Sequence, residues 1–350
     1  MSESRYKHIR TLKSDDNSIL NLYRDQSLDR DVVVKSVPKL NGYPDPYKEV
    51  EFIKKINSKH VISIYDVINK NDSVIFVQEY LDNDILVNKI GCCTDKEFLS
   101  FAYQMVSGIS DIHDHNVCHR DIKLDNMMCD NENILKIFDF GLSQDCLNQS
   151  TISGAGTLCY AAPELYEADN INPINITNAV DIYALGVTLW ALKFGKICNF
   201  NKNLKVQEYV KPDFGTLIPE VNHILVKKLN NTLNENPSDR TSAKELKYYL
   251  HRELIKGKHK GQFVYGNETY YLNQKRNITN VKMSDNFTFL TISYNGYDFF
   301  ILDFYGYVFI NNHLVEIGMI LPEACVITFK NKNNSPTYIS FSSSNPEIVI

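Results

Sequence analysis

The sequence predicts an α+β protein: a β-rich stretch to residue 80, a helical stretch to residue 258, and an all-β tail from 259 to 350. Three observations carry this. "RDVVVKSVP" and "SVIFVQEYL" are β-branched runs between charged or turn-forming ends, the mark of strands. From residue 94 onward apolar side chains recur at helical spacing, at Leu99, Ala102, Met105, Val106, Ile109 and Ile112. Beyond the basic join "HRELIKGKHKGQ", the run "NFTFLTISYNGYDFFILDFYGYVFI" is aromatic and β-branched, with turn signals at Asn295-Gly296 and Gly306.

Each element has a local reason. "DPYKEVEFIKKINSKH" reads as a helix because Asp45 can cap it, Pro46 suits the first helical position, and Val50, Ile53 and Ile56 fall on one face. Thr94 and Glu97 form a capping box at the head of the next helix. "NAVDIYALGVTLWALKFG" is apolar nearly all round, so it predicts a buried helix. "NENPSDRTSAKELKYYL" reads as a loop and a final helix, and "ACVITFK", "TYISFS" and "EIVI" continue the strand texture of the tail. There is no internal repeat.

Composition narrows the function classes. The 350 residues allow two or three domains, and 43% hydrophobic with 23% charged residues is ordinary for a globular chain. A net charge of -5 gives no reason to expect nucleic acid as a partner. The eight cysteines form no C-x-x-C pair, so reduced thiols in an intracellular protein, cytoplasmic or nuclear, are expected. The most apolar run, Ala179 to Phe194, carries Asp181 and is too short for a bilayer, so no membrane association is expected.

The stretch that asks for chemistry is "CHRDIKLDNMM", where His119, Arg120, Asp121, Lys123, Asp125 and Asn126 crowd between apolar flanks. Downstream, "KIFDFGLS" holds Asp139. A hairpin between the two would bring Asp121, Asn126 and Asp139 together. Carboxylate and amide oxygens suit Mg²⁺, a hard cation, and a lysine beside a carboxylate suits a phosphate and a hydroxyl nucleophile.

With these residues in view the sequence resembles the eukaryotic-type serine/threonine protein kinases over roughly residues 6–255. "DVVVK", "HRDIKLDN", "DFG", "GTLCYAAPE" and "DIYALG" occur in the family's order. The resemblance implies a two-lobed kinase fold, with an N-lobe at 1–80 and a helical C-lobe at 81–258, and transfer of the ATP γ-phosphoryl group to protein Ser/Thr using Mg²⁺. It implies Asp121 as catalytic base, Lys123 as partner of the γ-phosphate, Asn126 and Asp139 as magnesium ligands, and Lys35 on the α/β-phosphates, paired with Glu49. Around the nucleotide it places Leu20, Val33, Met128, the gatekeeper Gln78, the hinge residues Glu79 and Leu81, and Ser18. Asp181 would hold the catalytic loop's backbone, and Glu164 and Arg240 would pair. Thr157 points to a Ser/Thr substrate. Arg120 would collect a phosphate at Ser153, with Thr151 and Ser150 as alternatives, and His119 reads as a packed core residue.

Two departures stand out. The family's glycine positions ahead of Lys35 fall on Lys13, Asp15 and Ser18, and no glycine precedes Gly42. Glycine there lets backbone N–H groups approach phosphates, so weakened nucleotide binding is expected, although "DDNS" still makes a turn. Val33 stands where a small alanine is usual. The alternative to an active kinase is a pseudokinase scaffold that binds partners without catalysis. The tail, 259–350, resembles, less closely, a forkhead-associated β-sandwich. Of its phosphothreonine-reading positions only Arg276 fits, Asn286 and Phe289 standing where the family has others. The tail is therefore expected to be an all-β accessory module that docks a partner or a phosphoprotein.

Overall fold

The computed structural model describes residues 5–14, 18–39, 46–82, 86–145, 158–167, 176–201, 209–283, 288–331, 334–344 and 346. The chain forms two compact units, Met1–Leu250 and His251–Val349.

The first unit opens with a five-stranded antiparallel sheet. Its strands are β1 (Tyr6–Ser14), β2 (Ile19–Asp25), β3 (Arg30–Pro38), β4 (Ile64–Asn69) and β5 (Ser73–Glu79), in the order β1-β2-β3-β5-β4. The β-branched run Val32–Val34 lies in the middle strand and is buried throughout, as is Val74–Val77 beside it. β1 and β2 pair as far as Ser14 and Ile19, closing the hairpin expected around "DDNS"; Asp15 and Asn17 lie outside the described residues. Helix α1 (Pro46–Lys55) follows β3, with Glu49, Phe52 and Ile53 buried. Asp45, its expected cap, lies outside the described residues.

Beyond the sheet the unit is mainly helical. α2 (Asp95–Asp114) begins with the capping box: Thr94 Oγ1 accepts from the Glu97 N–H, and the Thr94 N–H donates to the Glu97 carboxylate. Its apolar stripe faces α4, introduced below. Short strands β6 (Val117–Cys118), β7 (Met127–Cys129), β8 (Leu135–Ile137) and β9 (Gln144–Asp145) form two hairpin-like pairs, β6 with β9 and β7 with β8. Then come α3 (Glu164–Glu167), α4 (Ala179–Phe194), α5 (Phe214–Leu217), α6 (His223–Asn231) and α7 (Ala243–Leu254). In α4 all thirteen residues from Val180 to Leu192 are buried, at about 1.5–3 kcal/mol for each large aliphatic side chain. The helix stops at Gly195, whose left-handed φ of 89° would strain any other residue and whose added Cβ would come within 3.1 Å of the Gly91 Cα.

The second unit is all β. Its strands are β10 (Gly261–Tyr265), β11 (Glu268–Leu272), β12 (Ile278–Lys282), β13 (Phe289–Tyr294), β14 (Phe299–Tyr305), β15 (Tyr307–Ile310), β16 (His313–Leu314), β17 (Ala324–Asn331) and β18 (Asn334–Ser343). They make a six-stranded sheet, β11-β10-β18-β17-β15-β16, and a three-stranded sheet, β12-β13-β14. One core joins both: Phe263, Ile327 and Phe341 of the larger sheet pack with Leu290, Ile292 and Ile301 of the smaller, which makes a β-sandwich. Among the described residues no helix is long and apolar enough to cross a membrane.

Candidate active site

The sheet of the first unit presents one face to the site through its register. Leu20 pairs with Lys35, which pairs with Phe76; Leu22 pairs with Val33, which pairs with Gln78. Side chains opposite each other share a face, and so do residues two apart on a strand. Leu20, Val33, Lys35 and Gln78 therefore stand together. Val33 and Gln78 are buried, while Ser18 and Leu20 are half-buried.

Lys35 is 8% exposed, and a buried ammonium is costly unless paired. It is paired three ways. Its Nζ donates to Glu49 Oε1 at 2.8 Å and Oε2 at 3.0 Å, and to Asp139 Oδ1 at 3.2 Å. Burial pushes the Lys35 ammonium down, but the two carboxylates outweigh it and hold it above the usual lysine value. Glu49 is buried on the inner side of α1, whereas Glu51 is exposed. Asp139 is held by the same contact. Desolvation raises its carboxyl, and Lys35 more than reverses this, leaving it below the ordinary range. Its φ of 66° is left-handed, an uncommon state for a non-glycine residue.

The second half of the site is the loop between β6 and β7. Asp121 Oδ2 accepts from Lys123 Nζ at 2.7 Å and from Asn126 Nδ2 at 2.8 Å. The Asn126 amide nitrogen also reaches the Asp121 carbonyl at 2.8 Å. That commitment of the nitrogen fixes which way the amide is turned and leaves its oxygen as the other end. Asp181, on α4 and fully buried, anchors the loop from behind. Its Oδ2 accepts from the His119 N–H at 2.8 Å and its Oδ1 from the Arg120 N–H at 2.7 Å. His113, on α2, adds its Nε2 to Oδ2 at 2.9 Å. Burial raises the Asp181 carboxyl, and these hydrogen bonds pull it down further, so it stays ionised.

His119 ties the two halves together. Its Nδ1 accepts from the Asp121 N–H at 3.3 Å, so its Nε2 carries the proton and donates to the Phe138 carbonyl at 3.2 Å. Burial lowers its pKa, which agrees with this neutral tautomer. The Phe138 N–H donates to the Asn126 carbonyl at 3.0 Å, and Ser143 Oγ to the His119 carbonyl at 3.3 Å. Asp121, Asn126 and Asp139 are thus brought onto loops that are hydrogen-bonded to each other. The chemistry of the donor set fits a magnesium ion: a carboxylate oxygen from Asp139 and an amide oxygen from Asn126 are hard ligands. Among the described residues no group of three His, Cys, Asp or Glu could hold a metal alone, and a magnesium ion held by two protein oxygens would complete its shell with waters or phosphate oxygens.

The outer residues are placed as follows. Arg240 Nη1 and Nη2 donate to the two oxygens of Glu164 at 2.6 and 2.7 Å. Met128 is half-buried on β7, opposite Lys136, and Glu79 and Leu81 follow Gln78 at the end of β5. Arg120 donates to Gln144 at 3.3 Å, while its Nε and Nη2 are buried without a partner among the described residues. Ser153, Thr157, Thr151 and Ser150 lie outside the described residues. Cys118 is disulfide-bonded, which departs from the expected reduced thiols; Cys92, Cys93, Cys129, Cys159, Cys198 and Cys325 are free. Two side chains that shape the site escaped the sequence pattern, His113 and Lys136. His113 falls on the apolar stripe of α2, and a lysine inside "ILKIF" was the one signal available for Lys136.

Residues 18–250, more than half of the chain, match the protein kinase domain. The chain belongs to the protein kinase family. Among similar curated proteins, "Probable serine/threonine-protein kinase" of Dictyostelium discoideum is 28% identical over 213 residues, which cover 59% of this chain and 30% of that protein. NUAK family SNF1-like kinase 1 of Homo sapiens is 34% identical over 152 residues, 42% of this chain and 22% of that protein. CBL-interacting serine/threonine-protein kinase 10 of Arabidopsis thaliana is 30% identical over 211 residues, 57% and 42% respectively. The chain therefore spans less than half the length of these relatives.

Proposed function

We propose that this kinase transfers the γ-phosphoryl group of ATP, with Mg²⁺, to serine or threonine hydroxyls of a protein. The observation that carries the reading is the three-way pairing of buried Lys35 with Glu49 and Asp139, on a loop bonded to that of Asp121 and Asn126. Lys35 anchors the α/β-phosphates, and Glu49 keeps its ammonium in place before nucleotide arrives. Asn126 and Asp139 would hold the magnesium ion, which would neutralise charge on the phosphates. Lys123 lies 2.7 Å from Asp121 and supplies positive charge to the γ-phosphate. Asp121 takes the proton of the acceptor hydroxyl as its oxygen bonds to the γ-phosphorus. The bond to the β–γ bridging oxygen breaks, and its electron pair leaves on ADP. Positioning and electrostatics supply most of the acceleration. Leu20, Val33, Met128, Gln78, Glu79, Leu81 and Ser18 line the base and sugar side. Arg120, with two buried nitrogens that have no partner among the described residues, receives a phosphate from the segment that contains Ser153.

The retention of every charged group this chemistry needs supports catalysis over a scaffold. The sandwich of the second unit supports an accessory docking role. A forkhead-associated reading of it draws on the two sheets around one core and on Arg276, which is exposed in the turn ahead of β12. Incubation with ATP and Mg²⁺ and mass mapping of new phosphates on the chain and on an added Ser/Thr peptide test the main reading. Phosphate on Ser or Thr is expected. Its complete absence with both acceptors would replace the enzyme by the scaffold.

A further inference from the structure

Lys136 is the one charged residue in the apolar run Ile134–Phe138, and it is buried, with only 11% of its side chain exposed. Its neighbours Leu135 and Ile137 are fully buried on the other face of β8. A lysine in that setting needs a partner. Its Nζ lies 3.1 Å from Glu79 Oε1, and Glu79 has 16% of its side chain exposed. Asp130 Oδ2 is 3.8 Å from the same ammonium, and Asp130 Oδ1 accepts from the Glu132 and Ile134 N–H groups at 2.9 Å, shaping the β7–β8 turn.

Glu79 is the last residue of β5, directly after the gatekeeper position. Its other oxygen, Oε2, accepts from the Ser63 N–H at 3.2 Å, and its own N–H donates to the Ser63 carbonyl at 3.0 Å. Backbone and side chain are therefore both tied at the point where the chain leaves the sheet. Across the β7–β8 ladder Lys136 stands opposite Met128, so the two side chains share a face. One ammonium thus joins the end of β5 to the strand that carries the residue expected beneath the base.

We propose that Lys136 is a positioning residue for the nucleotide: by holding Glu79 it fixes the base-facing backbone at the end of β5. This rests on the reading of the first unit as an ATP-dependent kinase. The phosphate side of the pocket is the reason the base side matters here. With no glycine before Gly42, fewer backbone N–H groups can approach the phosphates, so a preformed base site carries a larger share of binding. Lys136 itself contacts neither phosphate nor acceptor, so its loss is felt in nucleotide affinity and not in the transfer step.

The test uses the full chain with K136M and K136R. KM for ATP and kcat are measured with a Ser/Thr peptide, and adenosine binding is measured separately by calorimetry. K136M is expected to raise KM for ATP and weaken adenosine binding roughly tenfold, within the usual range of coupling between linked sites, with kcat within about twofold of wild type. K136R, which keeps the charge, is expected to recover most of both. Values for K136M within about twofold of wild type, tighter binding, or a loss confined to kcat would overturn the proposal. If the wild type transfers no phosphate, the kinase reading fails alone and adenosine binding still decides the role of Lys136. If K136M loses its melting transition, K136Q, which keeps a polar end but not the charge that holds Glu79, takes its place under the same expected and overturning results.

Discussion

Arg240→Met should destabilise the first unit far more than any exposed ion pair could. The Arg240 side chain is 1% exposed, and each of its five guanidinium protons has an acceptor. Nε donates to the Asn234 carbonyl at 2.9 Å, Nη1 to Glu164 Oε1 at 2.6 Å and the Ala179 carbonyl at 2.9 Å, and Nη2 to Glu164 Oε2 at 2.7 Å and the Glu235 carbonyl at 3.1 Å. The guanidinium also lies over the Tyr183 ring, 5.1 Å from its centroid. Methionine leaves a carboxylate and three carbonyls short of donors in a site that admits little water. Breaking a buried pair from one side costs about 3–5 kcal/mol. For a unit of this size each kcal/mol lowers the melting temperature by roughly 2–4 °C, so a fall of about 6–20 °C is expected by calorimetry on the full chain. Arg240→Lys keeps the charge but not the planar fork, and should lose about half as much. Arg24→Met removes solvent-accessible pairs with Asp29 and Asp31 and should cost at most about 1 kcal/mol. A fall of less than about 3 °C for Arg240→Met would refute the reasoning, since it would make the pair equivalent to an exposed one.

Other outcomes follow from the same geometry. Lys35→Met should lower phosphate transfer by at least about a hundredfold with the far-ultraviolet spectrum unchanged, because it removes a preorganised charge and not packing; a loss below tenfold in steady-state kinetics would contradict this. Thr94→Ala should cost about 1 kcal/mol in thermal unfolding, the usual value of a capping side chain, and Thr94→Ser should restore most of it. Stability should fall on acidification. Burial lowers the pKa of His60 and His119, so both are neutral when folded and take up protons when unfolded. Their contribution is complete above the free-histidine value near about 6.5 and is lost as the pH falls toward the folded values. Asp181, held below the usual carboxylate range, adds a second loss below about pH 4. A melting temperature that stays constant from about pH 7.5 to 5 would exclude the histidine contribution.

Local sequence carries different amounts of this structure. β3 and α4 were legible because burial on both faces leaves a continuous apolar run, and α2 because its cap and its stripe agree. β1 was not legible. It is an edge strand with one side in water, and its sequence, "YKHIRTLKS", has most side chains exposed and no alternation to read. Glu49 could be chosen over Glu51 because Ile53 on α1 and Ile56 just beyond its end mark the buried side. His113 and Lys136 could not be chosen by such means. His113 finds Asp181 sixty-eight residues away, and Lys136 finds Glu79 on a strand of a different sheet, so neither pairing leaves a local trace. The left-handed backbone of Arg120 and Asp139 is likewise set by the loops around them and not by the residue type, since neither is a glycine.

We propose that Asp121, Asn126, Asp139 and Lys35 serve one phosphoryl transfer. Labelled γ-phosphate transfer to a Ser/Thr peptide, with wild type and Asp121→Asn assayed side by side in Mg²⁺, tests it most directly. Incorporation by the wild type is expected, with a loss of several orders of magnitude in the variant, whose melting temperature stays near that of the wild type. Equal incorporation by the two proteins would contradict it.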